Sequence, residues 1–127
     1  TDFPNSEVAA MEGVVAIPHL GASTPESEDN CAMMAARQVK DYLDNGNIVN
    51  SVNLPALTMA WGGQNRVCVI SKGADAAAVL AAVPGVKASA SNTRSDYAYA
   101  IIDTDAAVDA AAVSAVPGVI RVRVLSK

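Results

Sequence analysis

The stretch LAAVPGV that begins at Leu80 returns, with two changes, as VSAVPGV beginning at Val113. Each copy closes an Ala-rich run, turns at Pro-Gly and leads into alternating apolar residues, so each reads as a helix end, a turn and the start of a strand. RVCVIS (66–71) stands before the first helix and DYAYAIID (96–103) before the second, both with the composition of strands. The predicted order is strand, helix, strand, strand, helix, strand. That is the split βαβ, ferredoxin-like order of an α+β fold, an antiparallel sheet with two helices on one face. Helices as small in side-chain bulk as TDAAVDAAAV should lie close on that sheet.

Ahead of this half, GVVAIP (13–18) has the composition of a strand, and the best-marked helix of the chain follows it. Thr24 suits the N-cap, Pro25 the first helical position, and Glu26, Glu28 and Asp29 the positive end of the dipole. Ala32, Ala35, Ala36, Val39, Tyr42 and Leu43 recur at helical spacing, and Gly46 supplies a left-handed stop, which predicts about five turns. NIVNSVNLP (47–55) reads as a half-exposed extended segment ended by proline. ALTMAWGGQN (56–65) loses all periodicity, and Gly62 and Gly63 read as a linker. The expected organisation is therefore residues 1–55, a linker at 56–65, and the α+β domain at 66–127.

A chain of 127 residues that is 51% hydrophobic can bury one core or two small ones. A formal charge of −4 without a Lys/Arg cluster removes the phosphate-neutralising term on which nucleic-acid binders depend. Apolar runs fall far short of the roughly 20 residues that span a bilayer, and no basic-then-apolar leader opens the sequence, so a cytoplasmic protein is expected. Cys31 and Cys68 are too few and too far apart for a disulfide framework or a CxxC zinc site; both are expected buried and reduced, and no metal is implied. Met33 and Met34 read as core filler, and Trp61 as a hinge anchor or a residue packed on the nearer domain. Asp41, Asp44, Asp103, Asp105 and Asp109 read as solvated.

The chain has one histidine, His19, in IPHLGASTPESE. It follows the carboxyl end of the expected strand and precedes a helix N-terminus, where open α/β sheets bind ligands. Oxidising a secondary alcohol needs a base that titrates near neutrality, and histidine is the side chain that starts there. Two readings stand from the residues alone: His19 as that base, or His19 as a satisfied turn residue.

The segment AIPHLGASTPESEDNCAMMAARQVKDYLDNGNIVNSVNLP resembles the end of the nucleotide-binding, Rossmann-type domain of the D-3-phosphoglycerate dehydrogenases, a branch of the D-2-hydroxyacid dehydrogenase family. The second half, ending VPGVIRVRVL, is similar to the ACT regulatory domain of many members. The resemblance implies an NAD-dependent oxidation of 3-phosphoglycerate in serine biosynthesis. It further implies His19 as the base, Gly21 and Ala22 beside the cofactor, and a glutamate partner for His19 just past a Phe-Pro. In TDFPNSE that partner is Glu7, one position out of register; as a plain residue Glu7 reads equally as a solvated loop acid. No GxGxxG occurs, so a C-terminal piece of a longer enzyme is expected, inactive and without NAD binding by itself. The effector positions of the family's serine-inhibited members fall at Ser71, Gly73 and Lys87, all three departing from the pattern. Assembly as a homodimer through the ACT-like half is expected, with RVCVIS and VIRVRVL as available edges. The alternative is a stand-alone ACT-like amino-acid-binding or dimerisation module.

Overall fold

In the computed structural model, which describes every residue from Thr1 to Lys127, the first element is a single helical turn, α1 (Ser6–Ala9). The Asn5 side chain caps it, accepting from the Val8 N–H at 2.8 Å. The strand expected at 13–18 is absent. Its backbone is tied by the Val14 N–H donating to Met11 O at 3.3 Å and by Thr1, whose amine donates to Val15 O and whose carbonyl accepts from the Ile17 N–H, each at 3.0 Å. An extended segment becomes a strand only beside a partner with a free row of backbone groups, and this part of the chain supplies none.

α2 (Pro25–Asn45) forms as the sequence predicts, somewhat longer than foreseen at 21 residues. Thr24 Oγ1 accepts from the Ser27 N–H at 3.2 Å, and Gly46, at φ +72°, ends the helix. None of its residues is buried. Cys31 is therefore exposed rather than buried, and Met33 and Met34 are half exposed rather than core filler.

The remaining elements are β1 (Asn65–Lys72), α3 (Ala76–Ala81), β2 (Val86–Arg94), β3 (Tyr97–Thr104), α4 (Ala110–Ser114) and β4 (Val119–Ser126). The sheet order is β2-β3-β1-β4, with every neighbouring pair antiparallel. This is the ferredoxin-like order read from the repeat. The repeat extends to the helix caps: Asp75 and Asp109 accept from the Ala77 and Ala111 N–H groups at 3.0 and 2.9 Å. Asp109 is thus a cap and not merely a solvated acid. The strand containing RVCVIS lies in the middle of the sheet, so the free edges are β2 and β4, and only VIRVRVL remains an edge as expected.

Alternation along the strands gives the sheet two buried faces. One packs Val67, Val69 and Ile102 against Val79 and Val83 at the end of α3 and Val113 of α4. On the other, Cys68, Tyr99 and Ile101 meet Ile48, Leu54, Leu57 and Met59 of the segment that follows α2. That segment holds itself with a bridge between Ile48 and Leu57, and Asn92 and Arg94 of β2 donate to its Ala56 and Ser51 carbonyls at 2.8 Å. The chain forms two compact units, Thr1–Arg37 and Gln38–Lys127. Residues 56–65, expected as a linker, are fixed on the sheet within the second unit.

Gly118 shows why the Pro-Gly turn tolerates no side chain. Its φ is +87°, and a Cβ there would lie 2.7 Å from Ala74 N and Lys72 O.

Candidate functional site

Residues 1–3 and 15–19 lie side by side through the two hydrogen bonds of Thr1, and this brings the Asp2 carboxylate onto His19 Nδ1. The Phe3 ring stacks on the imidazole, with centroids 4.7 Å apart. A carboxylate only accepts, so Nδ1 is the nitrogen that donates in this contact, and Nε2 has no partner within the chain. The histidine stays open to solvent, its side chain 57% exposed. A turn then runs into α2, closed by the Ser23 N–H donating to Leu20 O at 3.0 Å and by the Ser27 hydroxyl on Gly21 O at 3.4 Å. A Cβ on Gly21 would meet nothing within 4 Å, and Ala22 is exposed, so the turn presents bare backbone.

The structure does not bring Glu7 to His19. Glu7 sits exposed in the first turn of α1, where its charge favours the helix N-terminus, and it forms no ion pair with the imidazole. Asp2 takes that place. Counting forward from Phe-Pro missed it, because the carboxylate lies one residue before Phe3.

The expected effector positions do not converge. Ser71 is buried at the end of β1, Gly73 follows it at φ +68° with open space around its Cα, and Lys87 lies at the start of β2. β1 and β3 pair Asn65 with Thr104 and Ser71 with Ala98, and Val86 also pairs with Thr104, so Lys87 and Ser71 stand at opposite ends of the sheet. Lys87 forms an ion pair with Asp105. Its hydrogen bond, with that of the Gln64 N–H, holds the Asp105 carboxyl below the usual range.

Two further polar groups lie inside the second unit. Arg66 and Asp103 are fully buried and paired, Nε to Oδ1 at 2.7 Å and an Nη to Oδ2 at 2.8 Å, so Asp103 is not a solvated acid. Trp61 packs over the guanidinium at 4.5 Å and donates its indole N–H to Asn45 Oδ1 at 2.8 Å. Trp61 thus packs on its nearer neighbour. Burial pushes the Cys68 thiol up, and burial likewise raises the Tyr99 hydroxyl, which donates to Gly46 O at 2.5 Å. That thiol is an inert core group. No three His, Cys, Asp or Glu side chains come together as a metal site would need. No helix is long and apolar enough to cross a membrane.

No family model matches the chain. Among known proteins it is similar to D-3-phosphoglycerate dehydrogenase of Escherichia coli K12, 31% identical over 133 aligned residues that cover 94% of this chain and 32% of that enzyme. D-3-phosphoglycerate dehydrogenase 2 of Saccharomyces cerevisiae is 27% identical over 72% of the chain and 19% of its own length. A putative D-3-phosphoglycerate dehydrogenase of Schizosaccharomyces pombe is 28% identical over 77% of the chain and 23% of its own length. The resemblance to the D-3-phosphoglycerate dehydrogenases is thus shown over nearly the whole chain. The chain spans about a third of the length of the bacterial relative.

Proposed function

We propose that this chain is the C-terminal region of a cytoplasmic, NAD-dependent D-3-phosphoglycerate dehydrogenase, carrying the proton-transfer side of the active site and an ACT-like domain built on β1 to β4. The observation that carries the reading is the His19 imidazole, bonded to a carboxylate through Nδ1 with Nε2 unengaged, at the turn that opens α2. The apolar surface of Thr1–Arg37 supports it. Phe3, Met11, Val15, Ile17, Leu20, Met33 and Met34 are each more than half exposed. So many open apolar side chains within 37 residues fit a surface that is covered in the longer protein, on this reading by the remainder of a nucleotide-binding domain.

The chemistry assigned to these residues is the removal of one proton. Nε2 of His19 accepts the proton of the C2 hydroxyl of 3-phosphoglycerate as the C2 hydride leaves, and the Asp2 carboxylate stabilises the imidazolium that results. When bound, NAD supplies the hydride acceptor. Gly21 and Ala22 fit the border of its site, since their bare backbone permits close approach, but the glycine-rich phosphate turn is not among these residues.

The test pairs the longer enzyme with the chain alone. Reading the gene upstream of Thr1 should show an in-frame GxGxxG domain, and the full product should reduce NAD with 3-phosphoglycerate. The isolated chain should show neither turnover nor saturable NAD binding by calorimetry. Micromolar NAD binding to the chain, or a start codon directly before Thr1, sinks the reading.

The second reading, a stand-alone ACT-like module, draws on the compactness of Gln38–Lys127 by itself. Both readings expect a homodimer through the sheet. β4 is the favoured edge, because Ile120 on it is 57% exposed and its residues alternate in character. Light scattering should give a dimer that Ile120→Lys returns to monomer; a clean monomer at high concentration contradicts the assembly.

A further inference from the structure

Between α3 and the inner face of β1, β3 and β2 lies a cleft of about 230 Å³. Its origin is a mismatch of lengths. α3 has six residues, a rise of roughly 9 Å, whereas β2 has nine and extends about 30 Å. The helix covers the part of the sheet near Val79 and stops short of the rest. Small side chains leave the remainder unfilled, with Ala98 and Ala100 of β3 on the floor and Ser89, Ser91 and Thr93 of β2 along the rim.

The chemistry of the lining is specific. Val69 and Ile102, both fully buried, make an apolar floor, with Val79 and Leu80 as the wall. Ser71 is more than nine-tenths buried and lines the same space. Every sealed side-chain nitrogen and oxygen of the chain has a hydrogen-bond partner, and no hydrogen bond engages the Ser71 hydroxyl, so it is the cleft that this hydroxyl faces. A buried hydroxyl without a protein partner is satisfied by whatever occupies the space. No Asp, Glu, Lys, Arg or His lines the cleft. A zwitterion would lose its hydration there and meet no counter-charge, so the site selects against free amino acids.

We propose that this cleft binds a small uncharged molecule with an apolar body and a single hydroxyl-type edge, the edge bonded to Ser71 and the body on Val69, Val79 and Ile102. The volume suits a ligand of six to ten non-hydrogen atoms, since a protein cavity of roughly 150 Å³ accommodates benzene. The inference goes beyond the dehydrogenase reading and does not depend on it, because every lining residue belongs to the second compact unit.

Phenol is the probe. Titrated into the ¹⁵N-labelled chain, it should give saturable amide shifts confined to the end of β1, α3, β2 and β3, with a dissociation constant at or below the millimolar range. Ser71→Ala should weaken binding several-fold, and Ala100→Leu, which fills the floor, should weaken it at least tenfold. Should Ala100→Leu fail to fold by circular dichroism, Ser91→Leu on the exposed rim makes the same test without disturbing the core. L-serine should leave the spectrum unchanged. The assignment is overturned if phenol does not saturate, if its shifts fall elsewhere, if the filled variants bind as well as the parent, or if L-serine displaces it.

Discussion

Arg66→Met should cost the Gln38–Lys127 unit about 3 to 5 kcal/mol, the penalty of leaving a buried charge without its partner. The expectation rests on how completely the guanidinium is used. It has five N–H donors, and all five are engaged: Nε with Asp103 Oδ1, one Nη with Asn45 O and Met59 O at 2.9 and 2.8 Å, the other with Ala60 O and Asp103 Oδ2, both at 2.8 Å. Asp103 Oδ2 accepts in addition from the Gly62 N–H at 2.6 Å. The pair therefore joins the centre of the sheet to the end of α2 and to residues 59–62. Methionine fills a similar volume but leaves three carbonyls without a donor and a carboxylate without its counter-charge in the interior.

The comparison that isolates the charge is the double variant Arg66→Met/Asp103→Leu, which removes the stranded carboxylate. It should recover part of the loss but not all of it, because the three carbonyls remain unpaired. Arg66→Lys should fall between, since a lysine keeps the charge but presents three donors on one nitrogen where the site is shaped for a planar fork. Urea denaturation reads all three as midpoint shifts at constant m. An Arg66→Met midpoint within about 1 kcal/mol of the parent would mean that the buried pair contributes specificity and little stability.

Arg66 and Asp103 also show where sequence reading stopped. Both were in view, one opening RVCVIS and the other closing DYAYAIID, yet Asp103 passed for a solvated acid because a lone carboxylate carries no sign of burial. The signal was relational: in the antiparallel register of β1 and β3 the two residues face each other directly. The ferredoxin-like order itself was legible, since the Ala-rich runs, the Pro-Gly turns and the strands are local and occur twice. The helix caps at Thr24 and Gly46 were legible for the same reason. The strand at 13–18 and the burial of Cys31, Met33 and Met34 were not realised, because both need a surface that these 127 residues do not supply. At the candidate site the position of His19 was readable from its turn, whereas its carboxylate partner depended on residues 1–3 folding back beside 15–17, a contact that spacing from Phe-Pro does not encode.

On the proposed reading, with His19 as the base of a longer dehydrogenase, His19→Gln should lower that enzyme's turnover by about 10²- to 10⁴-fold with little change in NAD affinity, because the proposed proton acceptor is lost while the bare turn at Gly21 and Ala22 stays. Asp2 touches only the imidazole, so on the same reading Asp2→Asn should also lower turnover, by releasing the tautomer that the carboxylate holds. Glu7→Gln should leave turnover nearly unchanged. These three variants separate the two carboxylates, and the isolated chain supplies a readout that needs no activity. Its one histidine gives a single pair of ring ¹⁵N resonances. They should report the Nδ1–H form in the parent and in Glu7→Gln, and a shift toward Nε2–H, the form the neutral histidine side chain prefers in water, in Asp2→Asn. If Glu7→Gln moves the tautomer and Asp2→Asn does not, the pairing assigned to Asp2 is wrong even though His19 remains the base. Near-normal turnover of His19→Gln would instead remove the base itself, and with it the reason to place the chemistry on this turn.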